Sequence, residues 1–154
     1  VRAIPAAVAA IVILAACGGG SSSGPPDIEY GRDVCDQCHM IISEARYACA
    51  YRDAGGEAFV FDDIAEMLAH ISTRTAPADD RVWVHDFLTE EWIVAPAAWY
   101  VRGSIETPMG GGIVAFTTEA DAEAFAQERE GEVLRWTDVL AEMSGTGSPP
   151  DSGP

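Results

Sequence analysis

Two short segments about 55 residues apart, Phe59-Val60-Phe61-Asp62-Asp63 and Val114-Ala115-Phe116-Thr117-Thr118, each run an apolar strand end into a polar pair that can cap a helix. A strand-to-helix junction repeated at this spacing leaves few ways to fold the chain. In the first copy, Arg46 to Arg52 and Glu57 to Phe61 read as two strands around the turn Asp53-Ala54-Gly55-Gly56. Asp62 offers an N-cap, and Ile64, Met67, Leu68 and Ile71 recur at helical spacing up to about Ser72. Arg81 to Phe87 reads as a third strand and Glu91 to Val94 as a fourth. In the second copy the strands are Trp99 to Arg102 and Gly112 to Phe116, joined through the Gly-rich run Thr107 to Gly112. A helix capped by Thr117 or Thr118 runs to about Glu128, Glu132 to Trp136 is a strand, and Thr137 to Met143 is a short helix. The expectation is an α+β fold of two tandem, related ββαβ units, over residues 34–97 and 98–143. Each is too small to bury a useful core alone, so the two should pack into one compact body.

The ends have a different character. Residues 1–16 are almost wholly apolar after Arg2 and finish in Leu14-Ala15-Ala16, immediately before Cys17. The run is shorter than the roughly 20 residues a membrane-spanning helix needs, but it suits the apolar region of a secretory signal. Leu-Ala-Ala-Cys resembles a lipoprotein cleavage box, which makes Cys17 the expected lipidation site and residues 17–33 a lipidated cysteine followed by a flexible Gly/Ser/Pro linker. Residues 144–154 are again Gly, Ser and Pro and read as a disordered tail.

Charge narrows the function. Twenty-five acidic residues stand against nine basic ones, all of them Arg, for a formal net charge of −16. Such a chain repels polyphosphate, so nucleic acid is excluded as a partner. Of the four cysteines, Cys17 belongs to the targeting segment. The remaining three, Cys35, Cys38 and Cys49, cannot all pair within a monomer.

Soft ligands concentrate in one stretch, Cys35-Asp36-Gln37-Cys38-His39-Met40. Alone, Cys35-x-x-Cys38 fits half of a structural zinc site, a redox pair, a plain disulfide or a metal-delivery site. No second Cys-x-x-Cys or His-x-x-x-His completes a zinc site. The motif also follows a linker rather than a strand, unlike a thioredoxin-type active site. Met40 tips the balance towards copper, because in an extended segment positions 38 and 40 face the same side and a thiolate with a thioether favours Cu(I). His39 would then point away. Met109, in Thr107-Pro108-Met109-Gly110-Gly111-Gly112, has little regular surface to pack on and fits a thioether on a loop. Cys49 reads as a small buried residue, and His70 as a bland surface or boundary position. His85 lies on the third strand next to Asp86, although strand alternation points the two apart. No catalytic Ser/His/Asp set, phosphate loop or acid pair stands out.

Taken together, the box ending at Cys17, Cys35-x-x-Cys38-x-Met40-Ile41-Ile42, Val82-Trp83-Val84-His85-Asp86-Phe87, Ala98-Trp99-Tyr100-Val101, Pro108-Met109-Gly110, Val114-Ala115-Phe116 and Val133-Leu134-Arg135-Trp136 resemble the NosL family, lipid-anchored copper chaperones for nitrous oxide reductase. The resemblance implies two related ββαβ domains and a Cu(I) site with mixed sulfur and nitrogen ligation. It carries metal-site roles to Cys35, Cys38, Met40, His85 and Met109. It further implies a chaperone rather than an enzyme, anchored by lipid to the cell membrane on its periplasmic or extracytoplasmic side; a monomer is expected. Delivery would run through the Nos ABC-type transporter complex to nitrous oxide reductase in denitrification. The alternatives are a membrane-tethered thiol-disulfide oxidoreductase using Cys35 and Cys38, and a zinc-stabilised interaction module. The sequence departs from the family at His39, where Gly is usual between the second cysteine and the methionine.

Overall fold

The computed structural model describes residues 23–143. The expected signal segment, Cys17 and the tail from 144 lie outside the described residues, and so does the first part of the expected linker.

The first unit opens with the hairpin β1 (Cys49–Arg52) and β2 (Ala58–Phe61), followed by α1 (Ile64–Ser72), β3 (Val82–His85) and the short β4 (Trp92–Val94). These strands form one antiparallel sheet in the order β2-β1-β3-β4. The second unit repeats the plan with β5 (Trp99–Arg102), β6 (Ile113–Phe116), α2 (Glu119–Arg129) and β7 (Glu132–Arg135) in the order β6-β5-β7, and then adds α3 (Trp136–Met143). In both units the strand after the helix returns beside the first strand of the hairpin. The ββαβ repeat is therefore real, with β4 as an extra edge strand of the first unit.

The repeat also fixes the helix caps. Asp63, not Asp62, is the N-cap of α1, its side chain accepting from the Ala65 N–H, and Thr118 occupies the matching place in α2. The third strand stops at His85, two residues before the apolar pattern does, because Asp86 and Phe87 turn away to meet the second unit. Likewise, Ala45–Tyr47 form a 3-10 turn, so the first strand begins at Cys49 rather than Arg46.

Strand alternation sorts the two sheets by face. Cys49, Tyr51, Phe61, Val82, Val84 and Ile93 share one face of the first sheet and belong to the main core. That core also takes in Tyr100, Ile113, Ala115 and Leu134 from the inner face of the second sheet, with Trp136 and Val139 of α3. Helix α1 lies between, touching β1, β2, β6 and α3. On the outer face of the second sheet, Val101, Val114 and Phe116 pack on Ala122 and Ala126 of α2 as a separate cluster. The apolar surface on which the units depend is thus largely shared, the expected remedy for two elements too small to be stable apart.

Asp86 joins the units at one seam. Its backbone bridges Ala115, the Phe87 N–H donates to the Ala115 carbonyl at 2.8 Å, and the Thr117 N–H donates to the Asp86 carboxylate at 2.6 Å. Further N–H groups of Leu88 and Thr89 donate to the other carboxylate oxygen, each at 2.9 Å. Burial alone would raise the acid's pKa, but these donors win and hold it below the usual carboxylate value.

Candidate metal centre

The cysteine segment is not extended. The Cys35 N–H donates to the Met40 carbonyl at 2.8 Å and the His39 N–H to the Cys35 carbonyl at 3.0 Å, closing a tight turn. Val34 and Ile41 form an antiparallel bridge at its base. Asp36 fastens the turn to the free edge of β2: its N–H donates to the Val60 carbonyl at 2.9 Å, and the Val60 N–H donates to its carboxylate at 2.6 Å. An edge strand's unpaired groups are thereby covered and the thiols brought to the end of β2 where α1 begins.

His39 makes the turn possible at a cost. It sits at φ +63, the left-handed region that glycine enters freely and other residues enter at roughly 1–2 kcal/mol. This is the physical reason a glycine suits the position. His39 is exposed and supplies no ligand inward. The left-handed residue also cancels the alternation argument that put Cys38 and Met40 on one side.

What the turn achieves is to converge three groups. The Cys35 and Cys38 sulfurs and a Glu66 carboxylate oxygen from the first turn of α1 lie within 4.8 Å of one another. Cys35 is fully buried, Cys38 half-buried. The Cys38 S–H donates to the Asp62 carboxylate at 3.5 Å. With Asp63 capping the helix, Asp62 is left free for this contact. Burial, and then the neighbouring Cys35 thiol and Asp62 charge, push the Cys38 thiol up to about 12, although a backbone contact at Met40 pulls the other way. Glu66 is raised as well, by burial first and then by Asp62 and Asp63. Two thiols with the Glu66 carboxylate beside them and Asp62 against Cys38 form a site with surplus negative potential, suited to a cation.

Of the other sequence candidates, Met40 and Met109 reach the same end of the molecule. Met40 is 56% exposed and lines a cleft of about 440 Å³ with Asp62, Glu106, Thr107 and Pro108, so it is neither core nor buried ligand in the metal-free chain. The Met109 loop of the second unit is fixed by Asp63. The carboxylate accepts from the Thr107 hydroxyl at 2.6 Å and from the Met109 and Gly111 N–H groups at 3.1 and 3.3 Å. Gly111 comes so close that a Cβ would stand 2.4 Å from Ala65 Cβ and 2.5 Å from Asp63 Oδ1. Sequence reading passed over Glu66, Asp62 and Asp63. The i, i+3 spacing of Asp63 and Glu66 at a helix start was their one visible signal.

His85 sits on the face of the first sheet opposite the main core. Its Nδ1 is 2.8 Å from the Ala48 carbonyl and its Nε2 3.1 Å from the Tyr30 hydroxyl, while its ring lies against Trp92 with centroids 3.6 Å apart. A carbonyl only accepts, so these contacts assign the proton to Nδ1 and leave the Nε2 lone pair to accept from Tyr30. Burial lowers the imidazole's pKa and keeps it neutral. The structure does not group His85 with Cys35, Cys38 and Glu66, and Tyr30 would have to leave before Nε2 could bind anything. Cys49 is buried as expected, its S–H donating to the Asp63 carbonyl at 3.4 Å. His70, expected at the surface or its boundary, is instead 4% exposed and held at 2.8 Å by the Tyr51 hydroxyl among Phe59 and Phe61.

The crystal structure of the copper chaperone NosL from Shewanella denitrificans superposes with a TM-score of 0.64 at 22% sequence identity, covering 75% of this chain and 95% of that one. At such identity the likeness establishes the shared fold. No match is found among curated proteins. The NosL family model matches residues 28–144, a span containing both repeats, the cysteine turn and the Met109 loop. The chain belongs to the NosL family.

Proposed function

We propose that the protein is an extracytoplasmic copper chaperone that holds Cu(I) at Cys35 and Cys38 and passes it on by ligand exchange. One observation carries this reading: two thiols converge beside a carboxylate at the boundary of the two units, one sulfur buried and the other half-buried. Sulfur donors select Cu(I), and Glu66 beside the sulfurs with Asp62 against Cys38 favours a cation without adding strong soft ligands. Each thiol that binds must release its proton, and for Cys38 that proton is held tightly in the metal-free chain. Cys35 is the anchor. Cys38 faces the opening, where an acceptor's ligand can enter and displace it first. Met40 and Met109 are the thioethers that complete the coordination. His85 joins only if Tyr30 yields.

The same reading makes Cys17 the lipid anchor and the linker a tether that keeps the domain near the membrane, raising its effective concentration towards a membrane partner. The acceptor route is the Nos ABC-type transporter complex and then nitrous oxide reductase, with the chaperone acting as a monomer and catalysing no reaction. A thiol-disulfide enzyme is disfavoured by Cys38. Such enzymes lower a cysteine's pKa to expose thiolate, whereas here burial and nearby negative charge raise it. Among the described residues no helix is long and apolar enough to cross a membrane.

The deciding experiment is Cu(I) competition against a high-affinity colorimetric chelator, under anaerobic conditions, after all thiols have been counted as reduced. The expected result is one Cu(I) per chain, with retention reduced by more than about 100-fold in Cys38→Ser, beyond the usual cost of losing an orienting neighbour. Failure to compete, or full retention by Cys35→Ser and Cys38→Ser together, rejects the proposal. Transfer from the loaded protein to metal-free nitrous oxide reductase, with and without the transporter complex, tests the route.

A further inference from the structure

We infer that Asp63 is the positioning residue of the copper site: its carboxylate holds the Met109 loop of the second unit against the thiol-bearing turn of the first. The inference rests on the copper reading above and extends it to how a two-part site stays assembled.

Asp63 is 1% exposed, and every donor around its carboxylate is accounted for. Oδ1 accepts from the Ala65 N–H at 2.9 Å, which caps α1. Oδ2 accepts from the Thr107 hydroxyl, the Met109 N–H and the Gly111 N–H. A cap needs only the first of these. The other three all come from one loop, more than forty positions away in sequence, and the loop carries a thioether. Thr107 Oγ1 in turn accepts from the Gly112 N–H at 3.2 Å, so both ends of the loop are tied to the same carboxylate. Charge-assisted bonds of this kind are stronger than neutral ones and directional.

The helix held at Oδ1 also carries Glu66, which lies with the two sulfurs, and Asp62, the residue just before its cap, accepts from Cys38. Asp63 thus fixes the Met109 backbone relative to the thiols through one rigid helix end. Met109 itself remains 38% exposed, with Gly110 beside it at φ +72. The backbone is pinned and the thioether is free to swing, the combination a ligand needs if it is to close on an ion and later release it.

Asp63→Asn separates the two roles of the carboxylate. One oxygen survives to cap α1, but the amide presents N–H groups where three loop donors converge, and these cannot be satisfied together. In the metal-free full-length protein, Asp63→Asn should speed amide exchange at Met109 and Gly111 at least tenfold, while amides of β5 and β7 stay protected. Cu(I) affinity should fall about tenfold, the range for loss of a group that orients a metal ligand. X-ray absorption at the copper edge should show one sulfur neighbour fewer. Met109→Leu should give the same loss, and the double variant no further loss. Thr107→Val, which removes one donor and leaves the cap intact, should shift exchange and affinity in the same direction and serves if Asp63→Asn does not fold.

Unchanged loop exchange, or affinity losses that simply add, overturns the inference. So does a Met109→Leu protein that binds Cu(I) as wild type does. If wild type binds no Cu(I) at all, the copper reading fails instead, and the exchange result still decides whether Asp63 pins the loop.

Discussion

Replacing Gly111 by Ala would test the seam between the units with a single methyl group. The added Cβ would lie 2.4 Å from Ala65 Cβ and 2.5 Å from Asp63 Oδ1. Neither neighbour is the tip of a flexible side chain. Carbon atoms in contact settle at about 3.5–4.0 Å, so the loop must retreat by roughly 1 Å. The Gly111 N–H bond to Asp63 is already 3.3 Å and breaks first, and the Met109 bond at 3.1 Å lengthens with it. Losing one bond to a charged acceptor costs about 1.5–3 kcal/mol. Against this stands a gain of about 0.4–1 kcal/mol, because alanine restricts the unfolded chain more than glycine. The net expectation is a loss of about 0.5–2.5 kcal/mol, which in a folded part of this size lowers Tm by roughly 2–15 °C. Scanning calorimetry of the metal-free protein reads it directly. Gly110→Ala is the control: position 110 has open space around it but φ +72, so it pays strain without moving the loop. Both variants should melt early, and only Gly111→Ala should accelerate Met109 amide exchange. A Gly111→Ala protein as stable as wild type, with Met109 still protected, would refute the close approach and the latch built on it.

Three further outcomes follow from the charges and hydrogen bonds. Because the metal-free Cys38 thiol titrates at about 12, log affinity for Cu(I) should keep rising by at least about one per pH unit well beyond pH 9; chelator competition from pH 7 to 10 would disprove this by levelling off near the ordinary thiol value. Asp86 has a folded pKa below its unfolded value, so its stabilisation is complete above about pH 4 and lost as the pH falls through the folded value. Urea melts should show Asp86→Asn less stable than wild type at pH 6 and the gap narrowing by pH 3. Tyr30→Phe removes the hydroxyl from His85 Nε2; Cu(I) retention should rise if that nitrogen is a ligand and stay unchanged if it is not, with stability falling by about 1 kcal/mol in either case.

Much of the architecture was legible because it is written twice. The strand ends at Phe61 and Phe116 and the caps at Asp63 and Thr118 keep the same spacing in the structure as in the sequence. The site was legible only in part. Cysteines advertise themselves by type and spacing, but a cluster becomes a site through backbone direction, and with His39 left-handed the alternation of an extended segment no longer relates positions 38 and 40. Acids do not advertise themselves in a chain with 25 of them. Its place at a helix start marks Asp63 as a cap, but nothing in the pattern foretells the three loop donors that set it apart from Asp79 or Asp80 in a surface turn. His70 misled for the opposite reason, since its aromatic cage is assembled from strands that only the fold brings beside the helix.

The proton that burial and Asp62 keep on Cys38 has a consequence for chemical lifetime. Oxidants attack thiolate. At pH 7 a thiol titrating at about 12 is ionised to roughly one part in 100,000, against about 3% for an unperturbed cysteine. A more basic thiolate is a better nucleophile, which returns part of the difference, but oxidation should still be slower by roughly two orders of magnitude. Its neighbour Cys35 has no exposed surface from which an oxidant could start. The contact that keeps the proton on Cys38 therefore also slows the closing of a Cys35–Cys38 disulfide in the metal-free chain.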